Sequence, residues 1–289
     1  MIGMCVGEES MIDFLRALSQ YTFLQNALLA GVLAGIACGV VGTWVVVRRI
    51  SYMAGGIAHA SLAGLGVAHY LSVVYQWSWA QPLYGAALSA LAAAVTIGLV
   101  SLYAKEREDT VIGAIWAIGM AVGILFISQT PGYSSDLMSY LFGNILMVSE
   151  ADLWLIVILD TLIISLTWLF FAQLAAISFD EEFARVRGLP TRLYFLLLLA
   201  LVALTVVTLV TVVGIVMVIA LLTIPAAIAN RFTHRLRSTM ILATGISVAL
   251  TSLGLALSYG PDLPSGAVII LLTGVVYLAV VFSTRRQRS

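Results

Sequence analysis

His59 stands in the run SYMAGGIAHASLAGLG, Ser51 to Gly66, and no charged residue occurs from Ile50 to Ala104. An imidazole in such surroundings has two uses. As a neutral ring bonded to a neighbouring helix it packs a core; with a lone pair free it is a ligand for a passing transition-metal ion. Its helical neighbours at three and four positions, Gly55, Gly56, Leu62 and Ala63, cannot pair with it. His69 lies about 15 Å further along the same helix, rotated by roughly 80°, so the two cannot grip one ion within one chain. Asp160 is a second ionisable group inside an apolar run. Such groups are costly in a membrane and mark ion paths or partners. Asp160 could line the path, cap a re-entrant segment or pair locally. Cys5 and Cys38 form no CxxC pair, which speaks against a zinc cluster or a disulfide framework.

A different chemistry is written in SFDEEFARVRGLP, Ser178 to Pro190. Ser178 is the expected cap of a short helix. Asp180 and Glu181 fall in its first turn, Arg185 near its end, and Gly188 with Pro190 stops it. Acidic start and basic end complement the helix dipole. Phe183 and Leu189 are then apolar residues on an exposed tip, the pattern of a docking element for another subunit.

Absent motifs narrow the function. Lys105 is the only lysine and no glycine run precedes it, so a GxxxxGK[ST] phosphate loop is excluded. No HExxH, GxSxG or paired-carboxylate set occurs, so the chain is not expected to be an enzyme. If ATP drives it, another chain hydrolyses the ATP.

The elements that must position these residues follow from composition. Of 289 residues 62% are hydrophobic and only 10% charged, with mean hydropathy +1.08; a soluble domain carries about 25% charged residues. Charge-free stretches cover 17–47, 50–104, 110–135, 193–230, 238–261 and 263–284. A transmembrane helix needs roughly 20 apolar residues. The chain reads as an all-α, polytopic transmembrane bundle, with spans expected over 22–47, 52–74, 82–104, 111–128, 153–176, 193–210, 212–229, 238–258 and 265–283. Gly214 and Pro225 interrupt the seventh, so the count is nine, or eight if 193–229 crosses once. No repeat or linker divides the chain, and residues 1–289 read as one transmembrane domain. Gly31, Gly35, Gly39 and Gly42 form a small-residue stripe for close helix packing.

In this topology all Lys and Arg except Arg16 fall on one side, in 48–49, 105–109, 178–192, 230–237 and 284–289. That side is cytoplasmic by the positive-inside rule. The N-terminus then faces out and the C-terminus in. Residues 1–21, with Glu8, Glu9 and Asp13 against Arg16, read as an outer interfacial segment rather than a signal peptide. Tyr75, Trp77 and Trp79 suit the outer interface. The outer segment Asp136 to Leu153 is amphipathic and too short to cross. An ion-gradient-driven secondary transporter is the alternative; it would need charged coupling residues in broken helices, often in inverted repeats, and the sequence offers only Asp160.

Several of these stretches resemble one family. RRISYMAGGIAHASLAGLGVA is similar to the second-span motif of the membrane permeases of zinc and manganese ABC importers. SDLMSYLFGNILMVSEADL, FDEEFARVRGLP, VGIVMVIALLTIPAAIANRF and GPDLPSGAVIILL resemble further parts of that family in the same order, so the likeness covers about residues 22–283. It implies a type II-like ABC importer permease in the prokaryotic inner membrane. Two copies would sit on two ATPase subunits and take metal from an extracytoplasmic binding protein, with no nucleic-acid partner and no cofactor on this chain. His59 matches the family's pathway histidine and would be a transient metal ligand, with Asp136 and Asp160 as further path residues. Residues 178–190 would be the coupling helix, using Asp180, Glu181, Phe183, Ala184, Arg185, Gly188 and Leu189. The family often has an acidic residue four positions before the histidine; here it is Gly55. Two neutral imidazoles suit Zn²⁺ better than the oxygen-preferring Mn²⁺, so zinc is favoured, with manganese or iron next.

Overall fold

A computed structural model describes residues 14, 16–103, 107–131, 141, 143, 145–215, 218–261 and 263–286. The elements are α-helices: α1 (Thr22–Arg48), α2 (Ser51–Val74), α3 (Pro82–Tyr103), α4 (Glu108–Ser128), α5 (Glu150–Leu169), α6 (Phe171–Phe179), α7 (Glu181–Val186), α8 (Thr191–Val213), α9 (Val218–Phe232), α10 (Leu236–Tyr259) and α11 (Ser265–Arg286). A 3₁₀ turn, Ile145–Met147, precedes α5. Eight of these helices are long and apolar enough to cross a membrane, and Val218–Phe232 is a shorter apolar helix.

Local chemistry sets the ends. Pro82 opens α3, where its missing N–H costs nothing. Glu108 and Asp109 lie in the first turn of α4, favoured by the positive end of the dipole. Ser149 and Asp152 form a reciprocal capping box at α5: the Ser149 hydroxyl accepts from the Asp152 N–H at 3.2 Å, and Oδ2 of Asp152 accepts from the Ser149 N–H at 3.0 Å. α1 ends at Arg49, held at φ 60° in the left-handed region, and Ile50 alone separates Arg49 from α2.

Two helices form the centre. In α1 and α8, 67% of the most apolar stretch is buried, against 22% in α4, α5 and α11. α2, α3 and α4 pack as one group, with α3 against α8; α9, α10 and α11 pack as another, against α1. The glycine stripe explains the second contact. A Cβ on Gly39 would collide with the Thr244 backbone of α10, and one on Gly35 would fall 3.0 Å from the Val248 nitrogen. Gly42 lies against the Leu222 carbonyl of α9. The stripe is a packing seam, as its spacing predicts. The apolar residues left open on the rim, such as Leu88, Trp154, Ile241 and Leu271, suit contact with lipid.

The structure corrects four expectations. The span expected over 153–176 breaks at Phe170, dividing α5 from α6. The helix expected over 212–229 runs Val218–Phe232 instead, and its 15 residues reach only about 22 Å at 1.5 Å per residue, short of a full crossing. Gly214, at φ 78°, ends α8, whereas Pro225 lies inside α9 without ending it. Ser178 is not the cap of α7. Its hydroxyl donates back to the Leu174 carbonyl at 2.7 Å within α6; Asp180, in extended backbone, caps α7 by accepting from the Phe183 N–H at 2.8 Å.

Candidate functional site

His59 lies about 12 Å, at 1.5 Å per residue, into α2 and is 6% exposed. Its ring is stacked on Trp116 of α4, with centroids 4.1 Å apart and planes at 10°. The indole N–H of Trp116 donates to the Met120 sulfur at 3.2 Å, and Tyr52 flanks the indole at 6.2 Å. A stacked neighbour fixes an imidazole's plane through its face, whereas a metal binds along the in-plane lone pair. The stack therefore orients the ring without occupying its ligand positions. Nδ1 is buried with no hydrogen-bond partner among the described residues. Among the described residues the ring is thus held by an aromatic face rather than by a hydrogen bond at Nδ1. One turn earlier, Gly55 looks onto Ile219 of α9 and the edge of Trp116, so no carboxylate shares the face.

Asp160 lies midway along α5 and is 3% exposed; neither carboxyl oxygen has a hydrogen-bond partner among the described residues. Among the described residues it therefore pairs with no neighbouring group and caps no helix end. The group within its electrostatic reach is Cys38 of α1, whose thiol adjoins Ser247 of α10. Asp160 and His59 thus belong to different parts of the bundle: the carboxylate to the side where α1 meets α5 and α10, the imidazole to α2, α4 and α9. No group of three His, Cys, Asp or Glu side chains able to hold a metal occurs among the described residues. Asp136 lies outside the described residues.

The third place is the α6–α7 corner. Asp180 caps α7, and Gly188 at φ 80° closes it, with the Gly188 N–H donating to the Arg185 carbonyl and the Leu189 N–H to the Ala184 carbonyl. Phe183 is exposed, as its sequence position predicts, and so are Phe179 and Val186. Leu189 is not on the tip: it is half-buried and packed against the core, as is the fully buried Ala184. Sequence reasoning missed Val186, the most open of the set at 87% exposure. A six-residue helix shows too little periodicity to separate its faces. It also missed Trp116, whose only sequence signal is an aromatic residue in a span.

A family model, the ABC 3 transport family, matches residues 20–284. The chain is 43% identical over 269 residues to an uncharacterized membrane protein of Synechocystis sp., covering 93% of each chain. It is 34% identical to the manganese transport system membrane protein MntC of Listeria monocytogenes, covering 94% of this chain and 95% of that one. Among solved structures, PsaBC from Streptococcus pneumoniae in complex with Fab matches with a TM-score of 0.83 at 33% identity, covering 93% and 94% of the two chains.

Proposed function

Because the chain belongs to the ABC 3 transport family and is the permease subunit of an ABC metal transport system, not its ATPase, we propose that it imports a divalent transition-metal ion across the prokaryotic inner membrane. Two copies form the pore, two separate ATPase subunits drive it, and an extracytoplasmic binding protein delivers the ion near the Asp136–Asp152 side. The Arg-rich end is cytoplasmic, which puts the N-terminus outside and the C-terminus inside.

The observation that carries this reading is the α6–α7 corner. A capped short helix presents Phe179, Phe183 and Val186 to the aqueous side, where three large apolar residues have no reason to stand unless a partner covers them. We assign that partner as the ATPase. Movement delivered there alternates the access of the bundle.

The ion passes His59. Its ring is fixed, Nδ1 has no competing hydrogen bond among the described residues, and α4 beside it leaves most of its apolar surface uncovered in a single chain. A second copy on that surface would bring two His59 rings to one path. A single weak ligand per copy suits conduction, because a conducted ion must leave as readily as it enters. Manganese is the metal named for the Listeria relative; the histidine-only donor set favours zinc. Direct competition between the two ions decides between them.

The test is co-purification of the permease with the ATPase encoded for the same transport system. The wild type should bring down the ATPase. Phe183→Ala should reach the membrane at wild-type level and bring down about tenfold less, since loss of a central aromatic anchor costs at least 1–2 kcal/mol. A wild-type permease that takes up metal without any ATPase would refute the reading.

A further inference from the structure

We propose that Arg48 is a positioning residue that fastens the coupling segment to the hinge between α1 and α2, so that movement of α7 reaches the helix carrying His59. This rests on the reading of α6–α7 as the ATPase-coupling corner.

Arg48 is the last residue of α1. Its guanidinium reaches three other elements at once. Nη2 donates to Oε2 of Glu181 in α7 at 2.8 Å. Nη1 donates to the Ile177 carbonyl of α6. The guanidinium carbon lies 4.6 Å from the centroid of the Phe195 ring on α8. The Arg48 side chain is 14% exposed and that of Glu181 32%, so water screens the pair only in part. A planar fork with several donors can hold such a set of partners in one geometry; an ammonium cannot.

What α7 lacks explains why this matters. Its six residues are too few to hold an orientation on their own. Asp180 and Gly188 fix its internal shape and do not tie it to the bundle. The ties are the buried Ala184 and the Glu181–Arg48 contact. Arg185 also reaches Glu181, at 3.4 Å, but from the same helix and in the open.

What lies beyond Arg48 gives the contact its consequence. Arg49 is in the left-handed region and Ile50 leads directly into α2. Only those two residues separate Arg48 from Ser51, and His59 follows on the same helix. α1 is clamped along its length by the glycine seam to α10 and α9, so displacement at its end is taken up at the Arg49 turn and passes to α2. The route is Glu181, Arg48, the left-handed turn, α2 and His59.

The test uses the whole transporter, permease with its ATPase in lipid vesicles and the loaded binding protein outside, and reads metal imported per ATP hydrolysed. Arg48→Ala should assemble with the ATPase and hydrolyse ATP within about twofold of wild type, while the ratio falls about tenfold, within the usual range of coupling energies. Glu181→Gln should lower it less, because the Ile177 contact survives. The double variant should be no worse than Arg48→Ala alone, as expected for one shared interaction. An unchanged ratio in Arg48→Ala, or effects of the two substitutions that multiply, overturns the proposal. Should Arg48→Ala fail to reach the membrane, Arg48→Lys decides on the same ratio: a reduced value supports the role and a wild-type value overturns it. A wild-type assembly in which the ATPase does not bind would instead overturn the importer reading.

Discussion

His59 and Asp160 are both buried ionisable groups inside this bundle, and they are held in opposite ways. His59 is braced on one face by Trp116, which is itself fixed by Met120 and Tyr52. Asp160 has no hydrogen-bond partner on either oxygen among the described residues, with the Cys38 thiol within its electrostatic reach. A neutral imidazole is cheap to bury, whereas a carboxylate without partners is expensive. The His59 ring is thus held in one plane with Nδ1 free of hydrogen bonds among the described residues. The Asp160 carboxyl is buried with no described hydrogen-bond partner to offset that burial.

The sharpest way to break that contrast is to give the His59 side a carboxylate. Gly55→Asp adds an oxygen ligand one turn before the imidazole. The new Cβ would lie 2.8 Å from the terminal methyl of Ile219 and 3.4 Å from Trp116, and a flexible Ile end can move aside. Uptake measured with both ions present should shift toward manganese over zinc by about tenfold, as oxygen ligands favour the harder ion. An unchanged ratio would show that the ion does not visit this face.

Asp160→Asn comes next. It removes the ionisable group and keeps the shape. The detergent-solubilised permease should keep its thermal midpoint within about 2 °C, since one buried polar group without a described hydrogen-bond partner replaces another. Metal uptake should fall several-fold at matched protein level. Loss of stability would mean that the carboxylate has a structural partner.

Trp116→Ala should have the smallest effect. Stacked ring pairs are worth about 0.5–1.5 kcal/mol, so uptake should drop by about threefold, and Trp116→Phe should restore most of it. If Phe does no better than Ala, the indole acts through its N–H and Met120 rather than through its face.

Charge-free runs located the spans because bilayer thickness sets their length: α1, α2, α3 and α10 begin and end within two residues of the ranges their hydropathy predicts. Gly31 to Gly42 disclosed a seam because small residues at helical spacing have few other uses. The break at Phe170 was not legible. Phe170 and Phe171 carry no glycine or proline signal, and hydropathy is indifferent to a bend. The α7 cap was misread as Ser178 because a serine near a helix end can either cap forward or bond back to the preceding turn, and only the backbone decides. At the site, His59 stood out by its type. Trp116, the lack of a hydrogen-bond partner for Asp160 among the described residues and the reach of Arg48 depend on which helices meet. An arginine at a span's end reads simply as orientation until the neighbouring helices are in place.

The measurement that bears most directly on the account is metal uptake by cells carrying the complete transport system, wild type against His59→Ala, with zinc, manganese and iron assayed separately at matched membrane levels. Loss of a ligand on the path predicts that uptake falls at least about tenfold, while the variant still co-purifies with its ATPase. Uptake of all three metals at wild-type rates would make His59 a packed core residue and place the ion's path elsewhere in the bundle.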